Sequence, residues 1–334
     1  MSEIRLSIIV PFYNVEKYIS RCLDSIYAQD IPENEYEVIC VNDASPDHSR
    51  DIVQAYQCNY ANLKLIEHPT NRMPGAGRNS GLLASQGNYV CFIDSDDYIQ
   101  ANVFAKLLTI VESNDLDILH FCAQRVTDED VKYDYLYAPI ETDVTSGMAY
   151  LNDRIVSYWE KHTTAWLKWY RREFLLKNQL LFPEGVYFED NAFSLRCLIA
   201  CEKFKHIPDI VYYYRINPVS IMESNINGGK KLADRLRMYC ECLNILEHYS
   251  KNLFPYDAAE IYINHIYTEI KKKSILYLPL KEKFIFYKRI RSFNKNILLK
   301  YMRFRDYFFF IYPIFVFPFA ILRPLGQLKR KILK

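Results

Sequence analysis

Three carboxylates in four residues, Asp94, Asp96 and Asp97, follow the apolar, strand-like run Tyr89-Val90-Cys91-Phe92-Ile93. Like charges so close raise one another's pKa and oppose folding unless a cation or polar ligand compensates them. Magnesium and manganese seek oxygen ligands and keep open positions for phosphate oxygens, which directs attention to a nucleotide or nucleotide-sugar diphosphate. A calcium-binding helix-loop-helix starting at Asp94 needs Gly at its sixth position and Glu at its twelfth, where this chain has Ile99 and Ala105. Two further readings stay open on these residues alone. One is a phosphohydrolase with an aspartate nucleophile, and the other is an Asp-rich turn capping a helix near Gln100.

The elements that must position this cluster alternate short β-branched runs with helical patterns, the signature of an α/β fold with a mostly parallel sheet flanked by helices. Strands are predicted at Leu6 to Val10, Glu37 to Val41, Leu63 to Glu67, Tyr89 to Ile93 and Asp117 to Phe121. A helix carrying Val15, Tyr18, Ile19, Cys22, Leu23 and Ile26 is expected behind Asn14 as N-cap, and Ser45-Pro46-Asp47 opens the next. Gly75 and Gly77 introduce a helix from about Arg78 to Ser85, and Ala101 to Glu112 supplies another. Loops after Val10, Val41 and Ile93 then emerge at the carboxyl edge of the sheet, where open α/β sheets bind ligands.

Beyond residues 123 to 145, a polar, Tyr-rich excursion, helices are expected near Gly147 to Val156, Arg172 to Asn178 and Asn191 to Ala200. A strand over Val211 to Arg215 and helices over Lys230 to Tyr249 and Tyr256 to Lys273 follow. Glu189-Asp190 falls just before an apolar helix, where partial positive charge keeps a carboxylate ionised.

The chain has 334 residues, half of them hydrophobic, so it can bury an extensive core. Its nine cysteines show no Cys-x-x-Cys spacing, as expected of reduced, buried thiols in a cytoplasmic protein, and its seven histidines show no metal-binding spacing. Charge is unevenly distributed. Residues 281 to 334 hold 14 Lys and Arg against Glu282 and Asp306, a net of +12, while residues 1 to 280 hold 28 basic against 38 acidic residues, a net of −10.

Five ordered segments together resemble family 2 glycosyltransferases of the GT-A fold, over about residues 4 to 220. They are Ser7-Ile8-Ile9-Val10-Pro11-Phe12-Tyr13-Asn14, Val41-Asn42-Asp43-Ala44-Ser45-Pro46-Asp47, Gly75-Ala76-Gly77-Arg78-Asn79-Ser80-Gly81, Asp94-Ser95-Asp96-Asp97 and Phe188-Glu189-Asp190. A dinucleotide fingerprint is a poorer match, because the glycine segment follows the third strand and has its last glycine at the wrong offset. The resemblance implies an inverting enzyme of bacterial surface-glycan type that moves one sugar from a nucleotide sugar, chiefly a UDP-sugar, with Mn2+ or Mg2+ as cofactor. It implies Pro11 and Tyr13 against the base, Asp43 hydrogen-bonding it, and Arg78 near base or phosphate. By the same carry-over Asp94 contacts the ribose beside Ser95, Asp96 binds the metal, and Arg215 and Ser220 belong to a loop over the diphosphate. Asp190 is then the catalytic base, with Trp166, Lys168 and Glu189 on the acceptor side. The Gln-x-x-Arg-Trp sequence of processive synthases is absent, which favours single-sugar addition. The competing functions are a non-catalytic scaffold at the membrane and the phosphohydrolase above.

The resemblance divides the chain into a transferase domain at 1–220, with a nucleotide-binding half at 1–122 and an acceptor half at 146–220. A helical extension at 221–280 and a basic, aromatic tail at 281–334 follow. In the tail Phe286, Ile290, Phe293, Ile297, Tyr301 and Phe304 recur at helical spacing, with Lys288, Arg289, Arg291, Lys295, Lys300, Arg303 and Arg305 between them. Phe308 to Leu322 is uncharged but interrupted by Pro313 and Pro318, and spans only ~22 Å as a helix against a ~30 Å hydrocarbon core. The expectation is a cytoplasmic protein docked peripherally on the anionic inner face of the cell membrane, where a glycan or lipid-linked acceptor is met. Nucleic acid is disfavoured, because phosphate contacts do not require so much bulky apolar surface.

Overall fold

The computed structural model describes residues 3–127, 130–135, 140–151, 164–216 and 228–249. The chain divides into two compact units, Met1–Ser224 and Asn225–Lys334. In the first unit every residue of β1 (Leu6–Phe12) and β2 (Tyr36–Asn42) is buried, as strands covered on both faces require. β1 lies in parallel between β2 and β4 (Tyr89–Phe92), and β2 pairs in parallel with β3 (Leu63–Glu67).

The remaining strands are β5 (Tyr98–Ile99), β6 (Ile118–Val126), β7 (Lys132–Tyr135), β8 (Lys168–Arg171) and β9 (Phe204–Arg215). The sheet runs in the order β3-β2-β1-β4-β8-β6-β9-β5, with β7 added beside β6. The mostly parallel expectation therefore holds for the first four strands only. β8 inserts antiparallel to both β4 and β6, and β5 and β7 also pair antiparallel, whereas β6 and β9 are parallel. The polar excursion after Phe121 extends β6 to Val126 and turns back as β7.

Helices cover both faces. α1 (Ile19–Tyr27) buries Ile19, Cys22, Leu23 and Ile26 in the same cluster as Leu6, Ile8, Val10 and Phe12, together with Phe104, Leu107 and Leu108 of α4 (Phe104–Ser113). α2 (Ser49–Asn59) joins that layer, and Asp47 just ahead of it accepts the Ser49 amide at Oδ1. Asn14 is not the cap of α1. It sits at φ +57°, and the following residues are tied to the loop after β2 by Val15 N donating to Ser49 Oγ and Glu16 N to Asp47 Oδ2, so the helix begins only at Ile19.

On the opposite face α3 (Pro74–Ala84) starts earlier than predicted and contains its glycines. A Cβ at Gly81 would stand 2.4 Å from Ile9 Cγ2, and one at Gly75 2.5 Å from the Pro183 carbonyl oxygen. Glycine thus lets α3 approach β1 and the 182–183 segment closely. α5 (Arg172–Lys177) follows β8, and α6 (Glu189–Ala200) shares this face, since Phe193 and Phe182 both pack edge-on to Phe92.

In the second unit α7 (Gly228–Tyr249) matches the helix predicted at Lys230 to Tyr249. Ser220, the helix predicted at Tyr256 to Lys273 and the 281–334 tail lie outside the described residues. No helix among the described residues is long and apolar enough to cross a membrane.

Candidate active site

Register brings the sequence motifs to one edge. Phe12 lies opposite Asn42 and Ile9 opposite Phe92, so Tyr13, Asp43 and the acidic turn leave the sheet at neighbouring carboxyl ends. Pro11 is buried against Gly77, whereas Tyr13 is 46% exposed, an aromatic face at the rim of this edge. Ser95 is buried within the turn, and Asp94 and Asp96 are half-buried.

Asp43, expected at the base, turns its carboxylate on the chain. It accepts the amides of Arg72 and Met73 at 2.7–3.0 Å and faces His68 Nδ1 at 2.8 Å, while His68 Nε2 meets Ser80 Oγ at 2.8 Å. These contacts make Asp43 the tie that fixes the loop before α3. Met73 ends that loop at φ +73°, and Phe188 precedes α6 at φ +64°. Left-handed backbone at such bulky residues is strained and persists where surrounding contacts over-determine it. Sequence reasoning had no signal for either.

Arg78, expected near base or phosphate, is buried between the acidic turn and the start of α6. Its Nη2 donates to Asp94 Oδ1 at 2.7 Å and its Nη1 to Glu189 Oε1 at 2.5 Å, with the guanidinium 5.3 Å from the Phe182 ring centre. Burial works against its charge, but Asp94 and Glu189 outweigh that and raise its pKa above the ordinary value. One guanidinium therefore ties the Asp-Ser-Asp-Asp turn to the Glu-Asp pair. Glu189 is occupied by this ion pair and is not presented to an acceptor.

Asp190 is half-buried beside it in the first turn of α6. Burial, followed by the charge of Glu189, pushes its carboxyl up to about 7, against the pull of Arg78 and Lys168. Lys168, expected on the acceptor side, is fully buried on β8 and donates to the Thr164 carbonyl at 2.5 Å. Burial brings its ammonium down to about 7, and the nearby Cys197 and Asp190 partly offset that. Trp166 is likewise in the core, stacked on Tyr214 and tilted against Tyr212. Lys168 and Trp166 are thus buried residues in this structure.

Asp97 is buried. Its Oδ2 accepts from Tyr212 Oη at 2.8 Å and its Oδ1 from the Arg215 amide at 2.7 Å. Burial first, then Asp96 and Asp94, push its carboxyl well above the carboxylate range. Arg215, expected over the diphosphate, braces the turn by donating from Nε to the Asp96 carbonyl at 3.0 Å, its guanidinium lying over Tyr18 and Tyr98. Among the described residues no group of three or more His, Cys, Asp and Glu forms a metal cage. Asp94 is held by Arg78 and Asp97 by Tyr212, and half-buried Asp96 adds a carboxylate to the same turn. Hard oxygen donors of this kind fit magnesium or manganese, which keep most positions for water and phosphate oxygens.

The family model for glycosyl transferase family 2 matches residues 7–178, just over half the chain. This protein belongs to glycosyl transferase family 2. The uncharacterized glycosyltransferase EpsJ of Bacillus subtilis is 34% identical over 222 residues, 65% of this chain and 63% of EpsJ. The poly(ribitol-phosphate) beta-N-acetylglucosaminyltransferase TarS of Staphylococcus aureus is 34% identical over 212 residues, 63% of this chain and 35% of TarS. The match thus spans less than two thirds of either relative. The crystal structure of TarS 1–349 in complex with UDP-GlcNAc aligns with a TM-score of 0.66 and 25% identity, covering 89% of this chain and 84% of that one. The family 2 domain accordingly has the GT-A fold, an α/β architecture whose sheet is mixed in its second half.

Proposed function

We propose that this family 2 protein is an inverting, metal-assisted transferase that moves one sugar from a UDP-sugar to a hydroxyl of a glycan or lipid-linked acceptor in surface polysaccharide assembly. The observation that carries the reading is the double ion pair of Arg78. It sets the acidic turn, where a sugar diphosphate is recognised, within one guanidinium of Glu189, next to Asp190. The UDP-GlcNAc bound by TarS supports a UDP-sugar donor, and the poly(ribitol-phosphate) in the name of TarS supports a polymeric acceptor bearing hydroxyls.

In this reading the exposed ring of Tyr13 stacks on the base with Pro11 behind it. Asp94 and Ser95 hold the ribose side, and Arg78 keeps Asp94 oriented. Asp96 would hold a divalent ion, which would supply neutralisation of the charge left on the departing diphosphate. Asp190 accepts the proton of the acceptor hydroxyl as that oxygen attacks the anomeric carbon, and the bond to the diphosphate breaks on the opposite side. A single displacement inverts the configuration at that carbon. Lys168 lies behind Asp190 and favours its ionised form. Residues 281–334 dock the protein on an anionic inner membrane face, beside lipid-linked acceptors.

Asp190→Asn tests the assignment. Transfer to an acceptor is expected to fall by about 10²–10⁴-fold, the contribution of a positioned general base, while UDP-sugar binding measured by calorimetry is retained. Turnover at the parent rate would remove Asp190 as the base.

A further inference from the structure

Given the transferase reading above, we infer that Asp97 and Tyr212 form a positioning pair that holds the acidic turn in its ion-binding shape, and that Asp97 is not itself a ligand of the ion. Four hydrogen bonds from the end of β9 grip three of the four turn residues. Tyr212 Oη accepts the Asp94 amide at 3.1 Å and donates to Asp97 Oδ2 at 2.8 Å. The Arg215 amide donates to Asp97 Oδ1 at 2.7 Å, and Arg215 Nε to the Asp96 carbonyl at 3.0 Å.

Both oxygens of Asp97 are therefore committed to donors on β9, and the side chain is only 2% exposed. Turning it toward an ion would strand the buried Tyr212 hydroxyl and Arg215 amide, and buried donors without partners are costly. The phenol that does the gripping is itself fixed, with its ring 4.5 Å from that of Trp166 and fully inside the core. Three neighbouring carboxylates repel one another, so a turn left to itself opens. Bracing from β9 presets Asp94 and Asp96 before any ligand arrives, and preorganisation of this kind raises affinity by removing the cost of ordering. Asp97 thus differs in task from Asp96 although the two are adjacent.

The test uses the full chain and manganese with UDP as the probe. Manganese uptake in the presence of saturating UDP is followed by electron paramagnetic resonance for the parent, Tyr212→Phe and Asp97→Asn. Melting temperature and metal-free UDP binding are measured alongside. Tyr212→Phe keeps the ring and removes only the hydroxyl. It is expected to weaken manganese binding about tenfold, or ~1.4 kcal/mol, and metal-free UDP binding by less, because the hydroxyl also holds Asp94 on the ribose side; Asp97→Asn is expected to weaken manganese binding at least as much. If both variants melt lower yet take up manganese like the parent, the pair is merely structural and the inference fails. If Asp97→Asn loses manganese while Tyr212→Phe binds it like the parent, Asp97 is a ligand and the inference also fails. A parent that takes up no manganese with UDP would overturn the transferase reading itself.

Discussion

Asp190 stands among charges of both signs, and their balance decides when it can act as a base. Burial and the neighbouring Glu189 carboxylate favour the protonated acid, while Arg78 and Lys168 favour the anion. The resulting value of about 7 is far above that of an exposed aspartate and lies where a general base works best, because a weaker acid makes a stronger base once ionised. Only the anion can accept a proton, so kcat/KM is expected to be level above about pH 8 and to fall tenfold per unit below about pH 7. A pH profile of the donor reaction reads this directly, and a profile flat between pH 5 and pH 8 would remove the group from the reaction. The stability sign runs the other way. A carboxyl whose folded pKa is raised favours the fold when protonated, and that contribution is lost as pH rises through about 7. Asp190→Asn, neutral throughout, is therefore expected to melt above the parent at pH 8.

At the scale of elements α3 fits closely on β1. Replacing Gly81 by Ala improves helix propensity by ~1 kcal/mol but places a methyl 2.4 Å from Ile9 Cγ2, and overpacking of a core costs ~1–3 kcal/mol. Net destabilisation is expected in urea melts. The double variant Ile9→Ala with Gly81→Ala should lose less than the sum of its parts, because each change makes room for the other. Additive losses would show that the contact does not limit the approach of α3. β1, β2 and β4 were legible in the sequence because each is a short, largely apolar run between turn signals and is buried throughout, while half-exposed β3 reads from the alternation Leu63-Lys64-Leu65. Asp94, Asp96 and Asp190 were legible because residues adjacent in sequence carry their motif. The grip of β9 on the acidic turn was not, since Arg215 and Asp97 are 118 positions apart and a Tyr-Tyr-Tyr-Arg strand reads as core. Nor was the direction of β8, because a run of aromatic residues pairs equally well parallel or antiparallel. Asn14 misled for a local reason, as a good capping residue was drawn into a left-handed turn by the loop after β2.

Over the whole molecule, charge is divided more sharply than the net of +2 conveys. The first 280 residues carry a net of −10 and the last 54 a net of +12, so an anionic surface attracts one end of the chain and repels the rest. Such a distribution orients a protein on a membrane as well as holding it there. An excess of about 1 kcal/mol of attraction per basic residue near an anionic leaflet, shared among several lysines and arginines, is enough for reversible docking when aromatic side chains add their burial. The full chain is expected to sediment with vesicles containing phosphatidylserine and to stay in solution with phosphatidylcholine vesicles. Raising salt from 0.1 M to 1 M shortens the screening length from ~10 Å to ~3 Å and should release most of it. Changing all 14 Lys and Arg of residues 281–334 to Gln keeps the apolar face and removes the positive charge. That variant should lose the preference for anionic vesicles while its manganese and UDP binding stay at the parent level, since the residues gathered around Arg78 all lie between positions 78 and 190. Unchanged sedimentation of the Gln variant would assign membrane binding to the aromatic residues alone, and failure of the parent to sediment with either vesicle would assign the tail to a protein partner.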